Sequence, residues 1–157
     1  FLGGPKGVYT TGERLKGYRQ ALREAEIPFQ KEYITYGAYS TASGYERVRH
    51  IIEAYPETDA IFAGADTIAI GVLRALRELN IPVPGQVSVL GFDNIMLSAD
   101  LTPTLTTVAQ PIYEMGYRAA RKLLALIGGD PEGAKSECMS TTLVQRESTR
   151  SRRRIAI

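Results

Sequence analysis

The stretch at residues 59–94, DAIFAGADTIAIGVLRALRELNIPVPGQVSVLGFDN, decides the fold of the chain. It contains two short apolar runs, residues 60–63 and 87–92, of the kind that forms fully buried strands in parallel sheets. Between them, residues 67–79 have the apolar spacing of a helix, and Asp66 stands where a helix N-cap belongs. The stretch therefore predicts a strand, a helix and a second strand.

Two carboxylates follow the two predicted strands. Asp66 comes shortly after the first strand, and Asp93 comes directly after the second. The carboxyl ends of parallel strands lie at one edge of a sheet, and in open α/β sheets this is the edge where ligands bind. We therefore expect both side chains to lie at a binding site.

Short apolar runs and helical patterns alternate along the rest of the chain. The predicted strands recur about every 30 residues, as βαβ units require. They are followed by an extended crossover, a helix over residues 111–127 and a last strand over residues 140–145. The predicted fold class is α/β, a three-layer parallel sheet with helices on both faces.

Right-handed crossovers bring two further side chains to the same edge of the sheet. Arg14 follows the first strand, and Tyr39 lies in the turn after the second. A guanidinium group and carboxylates can bind hydroxyl groups, while an aromatic ring can stack on a sugar or a base. The alternative for Tyr39 is an aromatic side chain that packs only on its own turn.

The sequence does not favour catalysis or metal binding. It contains one histidine, His50, and one cysteine, Cys138, and it lacks a nucleophile–base pair and a complete phosphate-binding loop. We therefore predict no catalytic residue, metal or cofactor. The single cysteine fits a reducing compartment, which predicts a cytoplasmic protein.

The overall composition is that of a globular domain. The chain has 157 residues, a formal net charge of +2 and 44% apolar residues, and it lacks an apolar run long enough to cross a membrane. It begins at Phe1, inside an apolar run and without an initiator Met, so we expect a piece of a longer protein. Residues 150–157 form a basic tail, and such tails are usually solvated.

The predicted helix at residues 67–79 carries apolar residues on more than one face. A helix on the outside of a sheet needs only one apolar stripe. The excess suggests that a second chain covers the other face, and the alternative is a loop of the same chain.

Three segments together resemble the effector-binding core of the LacI/GalR family of bacterial transcriptional repressors. They are IFAGADTIAIGVLRAL at residues 61–76, NIPVPGQVSVLGFDN at 80–94 and TPTLTTVAQPIYEMGYRAARKLL at 102–124. The resemblance covers about residues 1–149. It implies a fold of two similar lobes around a cleft, like periplasmic sugar-binding proteins of type I, and a homodimer.

On this resemblance, residues 1–149 correspond to the C-terminal lobe, and helix 111–127 belongs to the other lobe. The apolar side chains of that helix are then expected to be exposed in this chain. The family binds operator DNA through an N-terminal helix-turn-helix. Operator contact is therefore expected only from a part that this sequence does not contain, and contact with a membrane is not expected.

The resemblance also implies roles for particular residues of this chain. Ligand binding is expected of five residues: Arg14, Tyr39, Asp66, Asp93 and Gln110. Dimer contacts are expected of six residues: Ile70, Leu73, Arg74, Arg77, Leu97 and Leu101. The chain departs from the sugar-binding pattern at Ala65, where a polar side chain such as Asn is expected, and this leaves the identity of the ligand open.

The predicted function is that of a ligand-sensing and dimerisation core of a transcriptional repressor, with a sugar or nucleoside-like effector. One alternative is a catabolite-control regulator that binds a phosphorylated carrier protein through Arg118 and Arg121. Another is a transport-type sugar-binding protein. An enzyme is the least favoured class.

Overall fold

The computed structural model describes residues 1–150, without the side chain of Glu132. Residues 151–157, which include most of the predicted basic tail, lie outside the described part. The elements, in chain order, are β1 (Leu2–Gly3), α1 (Tyr9–Glu24), β2 (Thr35–Tyr36), α2 (Thr41–Ala54), β3 (Ala60–Phe62), α3 (Asp66–Glu78), β4 (Ser88–Asp93), β5 (Thr106–Ala109), α4 (Ile112–Ile127) and β6 (Thr142–Val144). Short 3₁₀ turns cover Lys31–Tyr33, Met96–Ala99 and Pro131–Ala134.

The strands lie in the order β2-β1-β3-β4-β5-β6. β1 pairs with β2, and β3, β4, β5 and β6 form a four-stranded sheet. A single bridge between Leu2 and Ala63 joins the two groups. All pairs are parallel except β5 with β6, which is antiparallel. The predicted α/β class is confirmed, with β6 as the one strand that departs from a parallel sheet.

Helices cover both faces of the sheet because neighbouring residues of a strand point to opposite sides. On one face, Phe1 and Phe62 contact the ring of Tyr18 from α1, with ring centroids 5.8 and 6.4 Å away. On the other face, Leu2 and Ile61 are buried in the main core with residues of α2 and α3. The sheet is therefore the middle of three layers, as predicted.

Helices α2 and α3 cross at two glycines. A Cβ on Gly44 would lie 2.1 Å from the carbonyl oxygen of Ile68, and a Cβ on Gly71 would lie 2.0 Å from that of Thr41. Eight of the 13 residues of α3 are buried. Helix α2 of the same chain thus covers a second apolar face of α3, so the apolar excess does not by itself indicate a second chain.

Helix α4 differs from the other long helices because none of its residues is buried. Its apolar side chains are exposed, as predicted: Ile112 by 63%, Leu123 by 58%, Leu124 by 67% and Ile127 by 75%. The described contacts of α4 include those with the Pro131–Ala134 turn, where a Cβ on Gly133 would lie 2.8 Å from Leu126 Cγ. Within residues 1–150, we find no helix with the length and apolar character of a membrane span.

Candidate functional site

Arg14 lies across the carboxyl ends of β3 and β4. One guanidinium nitrogen, Nη1, donates to the carbonyl oxygen of Gly64 at 2.5 Å, and Cζ lies 3.8 Å from the ring centroid of Phe92. The other, Nη2, lies 3.5 Å from Asp93 Oδ1. These three partners fix the orientation of the guanidinium group, and the Arg14 side chain is 15% exposed. The structure thus brings Arg14 and Asp93 together, as the sequence predicts.

Gln110 completes this cluster from the end of β5. Its Nε2 donates to Asp93 Oδ1 at 2.7 Å. Burial raises the pKa of the Asp93 carboxyl group above its ordinary value, while the Arg14 guanidinium and the Gln110 amide act in the opposite direction. The Asp93 side chain remains 29% exposed, so it is both oriented by the protein and open to solvent.

Asp93 and the following residue have unusual backbone angles. Asp93 has φ of 114° and Asn94 has φ of 53°, both in the left-handed region. Such angles in residues other than glycine cost of order 1–3 kcal/mol and persist only where the surroundings enforce them. Here the Asn94 N–H donates to Thr107 Oγ1 at 3.3 Å, and Asn94 Oδ1 accepts from Arg146 Nη2 at 2.8 Å.

Asp66, the second predicted carboxylate, is completely buried. Its Oδ2 accepts from the Ile95 N–H at 3.0 Å and from the Ser98 hydroxyl at 2.6 Å, and its Oδ1 accepts from the Thr107 hydroxyl at 2.6 Å. A Cβ on Gly91 would lie 2.1 Å from Oδ1, so only glycine leaves room for this carboxyl group. Asp66 therefore has no surface that a ligand can contact in this arrangement.

The predicted N-cap role of Asp66 is wrong. Helix α3 begins at Asp66 itself, the cap position is Ala65, and no side chain caps the helix. The local pattern suggests a cap because Asp is common there, but hydrogen-bond donors far along the chain take both carboxyl oxygens instead.

Tyr39 lies over the turn between β1 and α1. A Cβ on Gly4 would lie 2.0 Å from Tyr39 Cζ, so the ring packs directly on the backbone there. The Tyr39 hydroxyl is 2.7 Å from Thr11 Oγ1. Thr11 and Arg14 are three residues apart in α1 and therefore share a face of the helix. Tyr39, which is 37% exposed, lies on the same side of α1 as Arg14.

The candidate site consists of the cluster of Arg14, Asp93 and Gln110, with Tyr39 on the same side of α1. The guanidinium group, the carboxylate and the amide together offer hydrogen-bond donors and acceptors, and the tyrosine ring offers an apolar surface. This set can hold a ligand with several hydroxyl groups. Within residues 1–150, we find no group of three or more His, Cys, Asp or Glu residues arranged to hold a metal ion.

The candidate dimer residues lie in three kinds of surroundings. Arg74, Arg77 and Leu97 are exposed, Ile70 and Leu101 are partly buried, and Leu73 is buried. Leu101 packs partly against the main core. Arg74 is occupied by an ion pair with Glu78, at 3.0 Å between Nε and Oε1.

Arg118 and Arg121, the two arginines that would bind a phosphorylated carrier protein, both contact side chains of this chain. Arg118 forms ion pairs with Glu114 and Glu137. These hydrogen bonds raise the Arg118 pKa. The guanidinium carbon of Arg121 lies 5.9 Å from the ring centroid of Tyr117. This arrangement does not favour phosphoserine binding by Arg118.

Sequence reasoning missed Phe92, Ser98 and Thr107. The sequence predicts Phe92 as a buried strand residue, yet the Arg14 guanidinium packs against its ring. Ser98 and Thr107 are small polar residues without a motif. The available signal was the position of Thr107 in the apolar extended crossover, which implies burial, because a buried hydroxyl requires a partner.

Comparison with known proteins gives consistent relatives. The family described as periplasmic binding protein-like domain matches residues 1–149. The HTH-type transcriptional repressor PurR of Photorhabdus laumondii subsp. laumondii is 36% identical over 145 residues, which are 92% of this chain and 42% of PurR. The chain spans less than half the length of the curated relatives it matches.

Solved structures agree with the fold described above. The transcriptional regulator LacI from Bacillus cereus subsp. cytotoxis NVH 391-98 superposes with a TM-score of 0.91 at 34% identity, covering 97% of this chain and 54% of that one. A complex of the transcriptional regulator CelR with cellobiose superposes with a TM-score of 0.85 at 33% identity, covering 94% of this chain and 45% of that one.

Proposed function

Because the chain belongs to the periplasmic binding protein-like domain family and its relatives are LacI-family regulators, we propose that it is the effector-sensing core of a transcriptional repressor. The observation that carries this proposal is the Asp93 carboxylate, which is oriented by Arg14 and Gln110 and still open to solvent. The site is built for binding, with no reacting group in it, so the protein is proposed not to be an enzyme.

The proposed effector is a sugar or nucleoside-like molecule. Asp93 Oδ1 is taken by Arg14 and Gln110, which leaves Oδ2 to accept hydroxyl hydrogens from a ligand. The Tyr39 ring supplies a flat surface for a furanose, pyranose or base. The CelR structure contains cellobiose, which is a ligand of this polyhydroxylated class. Ala65 offers only a methyl group where a hydrogen-bonding side chain is expected, so fewer polar contacts come from the position before α3.

Sensing is proposed to act through a homodimer in the cytoplasm. The exposed residues Arg74, Arg77 and Leu97 are the proposed contacts with the second copy. Operator DNA is proposed to be bound by a separate helix-turn-helix, as the name of the PurR relative implies for that protein. Coupling between effector and operator sites is typically 1–3 kcal/mol, which changes affinity by about 5- to 150-fold.

The test is calorimetry of the full-length gene product with a panel of cellobiose, glucose, ribose, adenosine, cytidine and hypoxanthine. We expect at least one compound to bind, and we expect Arg14→Ala to weaken that binding by about tenfold or more, because a charged hydrogen-bonding group is lost from the site.

His50→Ala is the matched control, because His50 is exposed on α2 and outside the site. It should bind the same compound as tightly as the wild type. Heat from no member of the panel, or equal affinity of Arg14→Ala and wild type, would contradict the proposal.

A further inference from the structure

Asp66 has a buried carboxyl group that the proposed ligand does not reach. All of its hydrogen-bond donors come from segments 29 to 41 residues further along the chain. We propose that Asp66 is a positioning residue that fixes two consecutive turns from one point. The first turn, residues 93–94, presents the Asp93 carboxylate, and the second turn, Met96–Ala99, carries exposed apolar side chains.

The link to the first turn runs through Thr107. A hydroxyl group has one hydrogen, and Thr107 donates it to Asp66 Oδ1 at 2.6 Å. The lone pairs of the Thr107 oxygen then remain free to accept a hydrogen bond from the Asn94 N–H, with 3.3 Å between the nitrogen and Oγ1. Asp66 thus orients the hydroxyl group that holds the left-handed Asn94, directly after the ligand-facing Asp93.

The link to the second turn is direct. Asp66 Oδ2 accepts from the Ile95 N–H and from the hydroxyl of Ser98, which is completely buried. These two donors enclose Met96 and Leu97, which are 89% and 48% exposed. The apolar surface of this turn is therefore held at both of its ends by the same carboxyl oxygen.

The consequence is that the ligand-facing carboxylate and the exposed apolar turn have a common anchor. A displacement of Asp93 acts on Asn94 and Ile95, and through Asp66 on Ser98. The statement that Asp93 contacts an effector rests on the proposed function, whereas the anchoring by Asp66 does not. The experiment below needs no effector, so the two can fail separately.

The experiment measures amide hydrogen exchange by NMR in the wild type, Thr107→Val and Ser98→Ala. In Thr107→Val, the amide of Asn94 should exchange about tenfold faster or more, because it loses its acceptor and Asp66 loses a donor. In Ser98→Ala, the amides of Ser98 and Asp100, which close the second turn, should become faster by a similar factor. The amide of Ala25, at the far end of α1, should not change in either variant.

Two further variants complete the test. Thr107→Ser keeps the hydroxyl group and should exchange like the wild type at Asn94. Asp66→Ala removes both acceptor oxygens and should speed exchange in both turns at once, and if it does not fold, the Thr107 and Ser98 variants decide. Unchanged exchange at Asn94 in Thr107→Val, equal acceleration in Thr107→Ser, or acceleration of only one turn in a folded Asp66→Ala would overturn the proposal.

Discussion

Helices α3 and α4 are both rich in apolar residues, and yet their surroundings are opposite. Helix α3 has eight buried residues among 13, whereas α4 has no buried residue among 16. The difference lies in the partner that each helix meets within the described chain, because α3 packs against α2 and α4 has no comparable helix beside it. Gly71 lets the backbone of α2 approach directly, whereas a Cβ on Gly116 of α4 would have no neighbour within 4 Å. An apolar pattern therefore predicts that a helix packs, but it does not identify the surface that the helix packs on.

The largest expected effect is the loss of a core side chain from α3. Ile68 is completely buried, and truncation of a buried Ile to Ala costs about 2–5 kcal/mol. Leu124 of α4 is 67% exposed, and we expect its truncation to cost about 0.5 kcal/mol or less. Chemical denaturation of Ile68→Ala and Leu124→Ala measures both. A cost above about 1.5 kcal/mol for Leu124→Ala would show that another surface covers α4 in solution.

An intermediate effect is expected when glycine is replaced in the two helices. Gly71→Ala places a methyl group against the backbone of Thr41 and should destabilise the fold by about 1–3 kcal/mol. Gly116→Ala is the matched control in α4, where the space is open, and should stabilise by about 0.5–1 kcal/mol through helix propensity. The changes in the free energy of unfolding relative to wild type, measured in urea, should have opposite signs. Equal effects of the two substitutions would contradict the close packing of α3 at Gly71 and the open space at Gly116 of α4.

The smallest effect concerns Asp93, which accepts a hydrogen bond from Gln110 just before α4. Burial raises the Asp93 pKa, so folding favours the neutral carboxyl group. The wild type should therefore lose stability relative to Asp93→Asn as the pH rises from about 4, the usual pKa of Asp, through the raised pKa of the folded state.

The change in the free energy of unfolding should stay below about 1 kcal/mol, because Arg14 and Gln110 offset much of the burial cost. Urea unfolding of both proteins at several pH values between 3.5 and 7 measures it. A wild type that gains stability relative to the variant as the pH rises would show that the ion pair with Arg14 dominates instead.

The sequence predicts the order of the elements and the meeting of Arg14 and Asp93 at one sheet edge. These follow from strand periodicity and from the fixed hand of the crossovers, which are local or general rules. The role of Asp66 is not predictable in this way. Its position matches an N-cap locally, and only the folding of Ser98 and Thr107 against it decides its partners.

The close crossing of α2 and α3 is a second feature that periodicity does not contain. Gly44 and Gly71 are 27 positions apart in the sequence and stand in ordinary helical surroundings. Their importance appears only when the two backbones are placed against each other. For the same reason, the sequence alone is compatible with a second chain that covers the apolar excess of α3. The structure shows that α2 covers it.

The ion pair between Arg118 and Glu137 has a practical consequence for following α4. Cys138, the only cysteine of the chain, is exposed directly beside Glu137. A fluorescent dye attached to this thiol by maleimide chemistry would therefore sit next to a residue that contacts α4. The emission of the dye and its quenching by iodide would depend on the surroundings of that helix, and no labelling site would have to be engineered. Both would change when another surface packs on α4.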